Sequence, residues 1–364
     1  MPDFISVAPP MTRLERMTER TDALPWTSAD APVGRMPAEW APHAGCFMGW
    51  PANPKVWGRD LADVQRDYVA VAQAIRRFEP VTMLVDPDAA ADARRQLGTD
   101  IAIIALPLSE AWLRDSGPSF VKRPDGTLAG VAWRFNGWGG ASLDFAPDTL
   151  IARRLLGILG LPVASSALAF EGGALHVDGD GTLLTTETVV FAKNRNPGIT
   201  RETAEAEFAR TLGIEKTIWL PGNPYEKGTD GHIDGIACFV RPGRVLFETS
   251  ASSRAELRAV TERNQRALEG QTDARGRALE FDYVQEAPDL ARGTSEGWGY
   301  STSYVNFYIA NGGIVMPKFG VPADDAAHAA IATAFPDRAV VQVDISTLAA
   351  GGGGIHCITQ QQPL

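Results

Sequence analysis

Apolar and polar positions along this chain repeat one order of elements: a strand, a tight turn, a second strand, an amphipathic helix and a closing strand. The apolar runs lie on either side of turns such as Pro124-Asp125-Gly126 and Asn311-Gly312-Gly313. Asp-Gly and Asn-Gly turns between apolar runs are a strong short-range signal for a β-hairpin. Four copies of this unit are continuous in the sequence. In each copy the ranges below are, in order, strand, strand, helix and strand. The first two of these copies cover 119–122, 128–133, 148–159 and 161–167, and then 174–177, 182–186, 201–212 and 216–220. The other two cover 235–240, 245–248, 253–268 and 279–284, and then 304–310, 314–317, 324–335 and 339–343.

A fifth copy is split between the two ends of the chain. Near the start are a strand over 43–50, a helix over 60–79 and a strand over 81–85, and their partner strand is predicted over 355–360. The helix has one apolar face, because apolar side chains recur at helical spacing. They are Leu61, Val64, Tyr68, Val71, Ile75 and Phe78. A last strand that returns to the first unit predicts an α/β protein built as a closed ring, which would leave no open sheet edge.

Composition sets the class of protein and of partner. The chain has 364 residues, 45% of them hydrophobic and 21% charged, as in ordinary globular proteins. Its formal net charge of −10 argues against a nucleic-acid partner and suits a cationic small molecule. No apolar run is long enough to span a membrane, and residues 1–34 lack the apolar core of a signal peptide. We expect an N-terminal tail over 1–34, one catalytic domain over 35–364 and a cytoplasmic location; the subunit number, a homo-oligomer included, stays open.

The chain has one candidate nucleophile, Cys357. An odd total of three cysteines does not make a disulfide framework, and Cys46 and Cys238 have the apolar neighbours of small core residues. Cys357 instead follows a run of glycines that includes Gly353 and Gly354. Glycine permits positive φ angles and lets main-chain N–H groups approach a substrate closely. A buried structural thiol is the alternative interpretation of Cys357.

Polar residues at the predicted tips of the first strands suggest what the thiol attacks. The tips carry Asp115, Glu171, His232 and Asp234, and His232 and Asp234, two apart on a strand, would face the same way. Buried carboxylates are costly unless the guest is a cation, and a guanidinium offers donors in the fork that carboxylates accept. Trp112 would line the site and stack on this cation.

The chemistry expected of this group is nucleophilic. The Cys357 thiolate attacks the guanidinium carbon, His232 protonates the departing nitrogen, and ammonia leaves an S-alkylthiouronium on the enzyme. His232 then takes a proton from water, which attacks and releases a ureido product. The cation helps to keep the sulfur ionised, and no metal or organic cofactor is needed. An amidinotransferase, a non-catalytic binding module and a metal enzyme are the alternatives.

Several stretches are together specific for a family. They are 36–40, 112–118, 134–140, 171–173, 231–234, 304–313 and 351–361. In these residues the chain resembles the agmatine deiminase family, which is grouped with bacterial-type peptidyl-arginine deiminases in the guanidine-modifying superfamily. The resemblance implies a five-bladed α/β propeller, the pentein fold. It also implies hydrolysis of agmatine to N-carbamoylputrescine and ammonia, a step of putrescine biosynthesis. The implied roles are Cys357 as nucleophile, His232 as acid and base, Asp115 and Asp234 as guanidinium ligands, Glu171 as a supporting residue and Trp112 as a wall.

The chain departs from the family at the position that meets the far ammonium of the substrate. Family members have an acidic residue four positions before the catalytic histidine, where this chain has Gly228. Glu226 and Asp230 are the candidates to replace it. The alternative substrate is therefore another guanidine: free, methylated or peptide-terminal arginine. Gly354 and Gly235 also stand where the family usually has asparagine.

Overall fold

The structure is a computed structural model that describes residues 24–25, 33–142, 144–288 and 299–364. The tail expected over 1–34 therefore lies almost entirely outside the described residues. Within the described residues the chain is an α/β protein.

The helices and strands follow one another along the whole described chain. The strands are β1 (Leu24–Pro25), β2 (His43–Gly49), β3 (Val81–Val85), β4 (Ala102–Ala105), β5 (Ser119–Lys122), β6 (Leu128–Ala132), β7 (Pro162–Ser165), β8 (His176–Val177), β9 (Thr182–Thr186), β10 (Lys216–Leu220), β11 (Ala237–Arg241), β12 (Arg244–Thr249), β13 (Glu280–Gln285), β14 (Tyr308–Ala310), β15 (Gly313–Lys318), β16 (Ala339–Asp344) and β17 (Thr359–Pro363). The α-helices are α1 (Pro54–Trp57), α2 (Leu61–Arg76), α3 (Ala90–Leu97), α4 (Leu113–Ser116), α5 (Gly137–Gly140), α6 (Ile151–Leu159), α7 (Glu187–Val190), α8 (Arg201–Leu212), α9 (Ala255–Leu268), α10 (Ala323–Ala334) and α11 (Ser346–Ala350).

The described strands form five sheets with one repeated topology. In each sheet an antiparallel pair is extended by a third strand that lies parallel to the second. These triplets are β17-β2-β3, β5-β6-β7, β8-β9-β10, β11-β12-β13 and β14-β15-β16. The repeated unit predicted from the sequence is therefore confirmed, including the copy split between the chain ends.

The expectation that closure of the ring leaves no open sheet edge is wrong for the described residues, because their strands form five separate sheets. No described strand of one unit pairs with a described strand of another unit, although β1, from before the first unit, pairs with β7. Neighbouring units are joined by side chains instead. Asn311, in the β14–β15 turn, accepts from the His43 N–H at 3.0 Å and donates to the His43 carbonyl at 2.9 Å, replacing a strand pair between units. His176 in β8 accepts from the Phe239 N–H of β11 at 3.2 Å.

The apolar face predicted for the first long helix is buried. Val64, Tyr68, Val71 and Ile75 of α2 are each at most 1% exposed, and Leu61 and Phe78 pack against the same core cluster. Burial of each such side chain contributes about 1.5–3 kcal/mol, which fixes the helix against its sheet. None of the helices in the described part of the chain is long and apolar enough to cross a membrane.

The segment before β2 joins two units and carries Glu39 inward. Arg35 exchanges backbone hydrogen bonds with Lys122 of β5 at 2.8 and 2.9 Å, and the Met36 N–H donates to the Leu212 carbonyl at 2.9 Å. A side chain on Gly34 would place its Cβ 2.5 Å from the Lys122 oxygen, so the close approach requires glycine there. Glu39 itself is 3% exposed.

The predicted site residues lie in short turns before the strands rather than on the strands. Helix α4 precedes β5, and 3-10 turns at Gly172–Ala174, Ile233–Gly235 and His356–Ile358 precede β8, β11 and β17. The expectation that His232 and Asp234 lie on one strand and face the same way because of it is therefore wrong, since His232 caps the turn and Asp234 lies inside it. The turns bring these side chains to one place all the same.

Candidate active site

Three of the predicted side chains converge on Gly173. A Cβ atom built on this glycine would lie 2.6 Å from His232 Nδ1, 2.8 Å from Asp234 Oδ2 and 2.9 Å from Asp115 Oδ1. Only a residue without a side chain leaves room for these groups, since real Cβ contacts below 3.0 Å are essentially absent. Residues from three different units therefore meet at one point, as the sequence predicted.

Cys357 faces this group. Its Sγ lies 3.6 Å from Asp234 Oδ2 and 3.4 Å from Asn306 Oδ1. Of the three cysteines, Cys46 and Cys238 are buried as expected, and Cys357 is partly exposed. Burial, followed by the charges of Asp234 and Asp115, raises the pKa of Cys357 well above its ordinary value. Without a cation in the site, the sulfur is therefore a neutral thiol at neutral pH.

A cavity of about 500 Å³ opens onto the thiol. Cys357, His232, Asp234 and Asn306 all contribute to its wall. Asn306 was not singled out from the sequence, although it lies two residues before β14 as Cys357 lies two before β17. Its place in the repeated unit was the signal that could have found it.

His232 lies between two carboxylates. Its Nδ1 is 3.8 Å from Asp115 Oδ1, and its Nε2 is 3.4 Å from Glu171 Oε2. Burial alone would lower the pKa of His232, but Asp115 and Glu171 raise it to about 9. The ring is therefore an imidazolium at neutral pH and can donate a proton to a leaving group.

Asp115 is fixed through both oxygens. The Gly173 N–H donates to Oδ1 at 2.8 Å, and Trp138 Nε1–H donates to Oδ2 at 2.8 Å. Burial raises the pKa of Asp115, and the nearby charges of Asp234 and Glu171 add to this against the effect of His232. Trp138 lies in one of the family-like stretches, but no role for it was predicted from the sequence.

Glu171 is fully buried and supports His232 from behind. Arg195 Nε–H donates to its Oε1 at 2.8 Å and its Oε2 at 3.1 Å. Burial would raise the pKa of Glu171, yet Arg195 and His232 lower it below its ordinary value. Arg195 also pairs with Asp230 and donates to the Thr229 carbonyl at 2.9 Å, so the Asp230 carboxylate already has a cationic partner.

Asp234 is backed by a histidine that the sequence did not single out. His356 Nδ1 lies 3.0 Å from Asp234 Oδ2, and His356 Nε2 lies 2.8 Å from Glu39 Oε1. Burial would raise the pKa of Asp234, but the hydrogen bond and charge of His356 bring it below its ordinary value. Asp234 therefore stays a carboxylate.

The glycines before Cys357 are explained mainly by close packing. A Cβ on Gly353 would lie 2.4 Å from the Trp112 ring, and one on Gly354 would lie 2.5 Å from Asn306 Oδ1. The positive φ expected within this run occurs at Gly352, at 91°. Trp112 is 7% exposed and packs against Trp57 with ring centroids 5.4 Å apart.

Glu226 lines the cavity and also organises the loop before His232. Its carboxylate accepts from the N–H groups of Gly228 at 2.5 Å, Thr229 at 2.8 Å and Gly231 at 3.0 Å. The Thr229 hydroxyl donates to it at 2.6 Å and accepts from the His232 N–H at 3.2 Å. Glu226 is thus placed at the cavity, whereas Asp230 is directed to Arg195.

Comparisons with known proteins cover nearly the whole chain. A curated relative from Streptomyces coelicolor is 45% identical over 338 residues, which are 90% of this chain and 98% of that protein. The agmatine deiminase of Ectopseudomonas mendocina is 40% identical over 352 residues, covering 90% of this chain and 95% of the relative. A solved structure, the agmatine deiminase of Enterococcus faecalis, gives a TM-score of 0.89 at 32% identity and covers 94% of this chain and 99% of that one.

These relatives confirm the resemblance that the motifs indicated. The model of one family, the Porphyromonas-type peptidyl-arginine deiminases, matches residues 35–363. That range contains all five repeated units and every residue of the site described above. The chain belongs to the Porphyromonas-type peptidyl-arginine deiminase family.

Proposed function

We propose that this protein hydrolyses agmatine to N-carbamoylputrescine and ammonia through an amidino group bound to Cys357. The observation that carries the proposal is the position of the thiol. Its Sγ lies 3.6 Å from the carboxylate of Asp234, and Asp234 meets Asp115 and His232 next to Gly173. The named relatives from Ectopseudomonas and Enterococcus are agmatine deiminases, which supports this choice of substrate.

Asp115 and Asp234 are the proposed guanidinium ligands. Both are almost fully buried, at 4% and 6% exposure, and each faces one imidazolium ring, His232 at 3.8 Å from Asp115 and His356 at 3.0 Å from Asp234. A guanidinium donates its N–H groups to both carboxylates in a bidentate fork and brings a positive charge next to them. Its central carbon then lies over Cys357, because Asp234 is shared by the cation and the sulfur.

The cation also activates the nucleophile. The charges of Asp234 and Asp115 oppose ionisation of Cys357, so their neutralisation by the guanidinium lowers the pKa of the thiol. The thiol proton passes to water in the cavity. The thiolate then attacks the guanidinium carbon and forms the C–S bond.

His232 moves the remaining protons. As an imidazolium it protonates the leaving nitrogen, and the C–N bond breaks to release ammonia. The neutral ring then takes a proton from water, whose oxygen attacks the thiouronium carbon. The C–S bond breaks, the hydroxyl proton of the intermediate passes to the departing sulfur, and the ureido product leaves Cys357 as a thiol. Glu171 and Asp115 hold the ring in place throughout.

The cavity wall favours an amine-tailed guanidine over arginine. Among the described residues, four carboxyl side chains line it against three cationic ones: Glu226, Asp234, Glu248 and Glu286 against Lys227, Arg254 and the imidazolium of His232. Burial and then the charge of Glu286 raise the pKa of Glu248 well above its ordinary value. A cation in the cavity would lower this pKa and favour the charged carboxylate. The carboxylate of arginine would instead be repelled. Free, methylated or peptide-terminal arginine is the second candidate, because Gly228 leaves the usual ammonium ligand absent at that position.

Steady-state ammonia release from agmatine, arginine and methylated arginines tests the substrate. We expect kcat/KM for agmatine to exceed that for arginine by more than about tenfold, a difference of about 1.4 kcal/mol. Cys357→Ala should abolish ammonia release while the thermal transition stays in place. Mass spectrometry of wild-type protein quenched during turnover should show the amidino adduct on Cys357. Turnover of arginine but not agmatine would reject the first substrate, and ammonia release by Cys357→Ala would reject the mechanism.

Each of the five units supplies the site from the segment just before its first strand, and a five-bladed α/β propeller over 35–364, with each unit as a blade, explains this common position. We propose this arrangement and a single domain on that basis. A fragment that begins at residue 35 should unfold in one transition with wild-type activity. The cytoplasmic location stays a prediction.

A further inference from the structure

We propose that Glu39 and His356 are positioning residues that hold Asp234 as a carboxylate, aligned with Cys357, and so set how far into acid Asp234 can bind the guanidinium. This inference rests on the proposed function and concerns the same site. Neither residue lines the cavity, and both act through Asp234.

Glu39 is the centre of a buried cluster that joins three units. Its Oε1 lies 2.8 Å from His356 Nε2 and 3.3 Å from Arg114 Nη1, and its Oε2 lies 3.6 Å from His176 Nε2. We call Glu39, Arg114, His176 and His356 the Glu39 cluster. Arg114 precedes Asp115 in the chain, and His356 precedes Cys357. One carboxylate therefore fixes the residues next to a guanidinium ligand and next to the nucleophile.

A second contact ties two of these segments directly. Arg114 Nε–H donates to the His356 carbonyl at 3.3 Å, so the turns that carry Asp115 and Cys357 are linked through backbone as well as side chain. Each member of the cluster is at most 3% exposed. Water therefore does not screen these interactions, and a missing partner leaves a buried charge.

The ring of His356 has both nitrogens engaged by carboxylates. Burial and Arg114 would lower the pKa of His356, but Glu39 and Asp234 raise it above its ordinary value. As an imidazolium it donates one N–H to Asp234 and the other to Glu39. It has no free nitrogen to act as a base, although it is the neighbour of the nucleophile in the chain. Its positive charge instead opposes protonation of Asp234.

The sign of the pH effect follows from this charge. A carboxylate with a lowered pKa keeps its charge as the pH falls, so the contact of Asp234 with the guanidinium persists into acid. The charges of His232 and Arg114 also lower the pKa of Asp234, whereas the pKa of Asp115 is raised. Removal of the imidazolium takes away a hydrogen bond and an opposite charge, so the pKa of Asp234 should rise. Agmatine binding should then be lost at a correspondingly higher pH.

The test compares two buried histidines that share Glu39. His356→Asn removes the ring on Asp234, and His176→Asn removes a ring that touches Glu39 but is not hydrogen-bonded to Asp234. Agmatine binding to each variant is measured by calorimetry in a Cys357→Ala background from pH 4 to 8, together with the melting temperature. We expect the acid limb of binding to move to higher pH for His356→Asn only.

A double-mutant cycle with Asp234→Asn completes the experiment. If His356 acts through Asp234, His356→Asn should weaken binding much less once Asp234 is neutral. The His356→Gln variant is made in parallel, in case the His356→Asn variant does not fold. If a folded His356 variant loses agmatine binding at the same pH as the protein with native His356 and differs only in a lower melting temperature, the cluster has a structural role only. That result would overturn the proposal. The same holds if His176→Asn moves the limb equally.

Failure of the proposed function gives a different result. If wild-type protein does not turn over agmatine, the substrate assignment fails, and the same pH series is run with methylguanidine, which has no amine tail. A limb shift with methylguanidine still supports the positioning role. Binding that does not depend on pH between 4 and 8 in any of the variants would overturn it.

Discussion

Gly173→Ala tests the convergence of the site most directly. The added methyl group would lie 2.6–2.9 Å from His232 Nδ1, Asp234 Oδ2 and Asp115 Oδ1, where ordinary contacts are 3.4 Å or more. The three groups must therefore each retreat by about 0.5–1 Å. The φ angle of Gly173 is not positive, so alanine is compatible with its backbone. The substitution moves the side chains without straining the turn.

A displacement of this size has a known cost. A misplacement of about 1 Å can cost on the order of 10²-fold in rate, equivalent to about 2.7 kcal/mol of transition-state stabilisation. We therefore expect kcat/KM for agmatine to fall by about 100-fold or more. The N–H of residue 173 still donates to Asp115, so the melting temperature should fall only by a few degrees. Ammonia release under steady-state conditions and differential scanning calorimetry measure the two quantities.

Gly235→Ala is the matched control. Gly235 follows Asp234, also has no positive φ, and a Cβ there has no atom within 4 Å. Its activity should stay within about threefold of wild type, as expected for a small substitution without a clash. If Gly173→Ala also keeps activity within about tenfold, the three groups do not converge tightly enough to bind one guanidinium, and the proposed geometry is wrong.

Three further results are expected. The pKa of His232 is about 9, and because the imidazolium is lost as the pH rises through that value, kcat/KM should fall above about pH 9; a profile that stays flat to pH 10 contradicts the acid role. Agmatine binding to wild-type protein should release close to one proton per site and binding to Cys357→Ala close to none, as read from calorimetry in buffers of different ionisation enthalpy; equal release from both contradicts thiolate formation on binding. Glu171→Gln leaves the buried Arg195 with Asp230 alone, so urea unfolding should show a loss of about 3 kcal/mol, and a loss below about 0.5 kcal/mol contradicts the pairing.

Local signals in the sequence were sufficient for most elements of the repeated unit. Strands β3, β5, β9 and β10 and helix α8 have the bounds that the sequence predicted. Their ends are set by residues close in the chain, such as Thr200, which caps α8, and Gly213, which ends it in a left-handed conformation. Where local chemistry decides an element, the sequence is enough.

Elements that depend on distant partners were missed or misplaced. The strand predicted over 304–310 begins only at Tyr308, because the N–H groups of Tyr304 and Val305 donate to the carboxylate of Glu248 at 2.6 and 3.1 Å. Helix α3 and strand β4 had no place in the repeated pattern, although β4 extends the first sheet beside β3. Tertiary contacts override local pattern at both places.

The site residues also divide into those with a local signal in the sequence and those that depend on distant contacts. Cys357, His232, Asp115, Asp234 and Glu171 were found because their chemistry is unusual in a protein interior. Glu39, Arg195, Trp138 and His356 were not, because each acts by contact with a residue far away in the sequence. Glu39 and His356 are 317 positions apart. No pattern within one segment reveals such a pair.

Charge balance explains why the site needs all of these groups together. Around the thiol, the carboxylates of Asp115, Glu171, Asp234 and Glu39 are matched by two guanidinium side chains, Arg195 and Arg114, and by two imidazolium rings, those of His232 and His356. A substrate guanidinium adds one positive charge to this buried array. Ionisation of Cys357 adds one negative charge beside it and restores the balance. The thiolate is therefore stable only while the substrate is present, because either charge alone would be uncompensated in a poorly solvated site. The high pKa of the empty thiol and its reactivity with substrate bound thus have one cause.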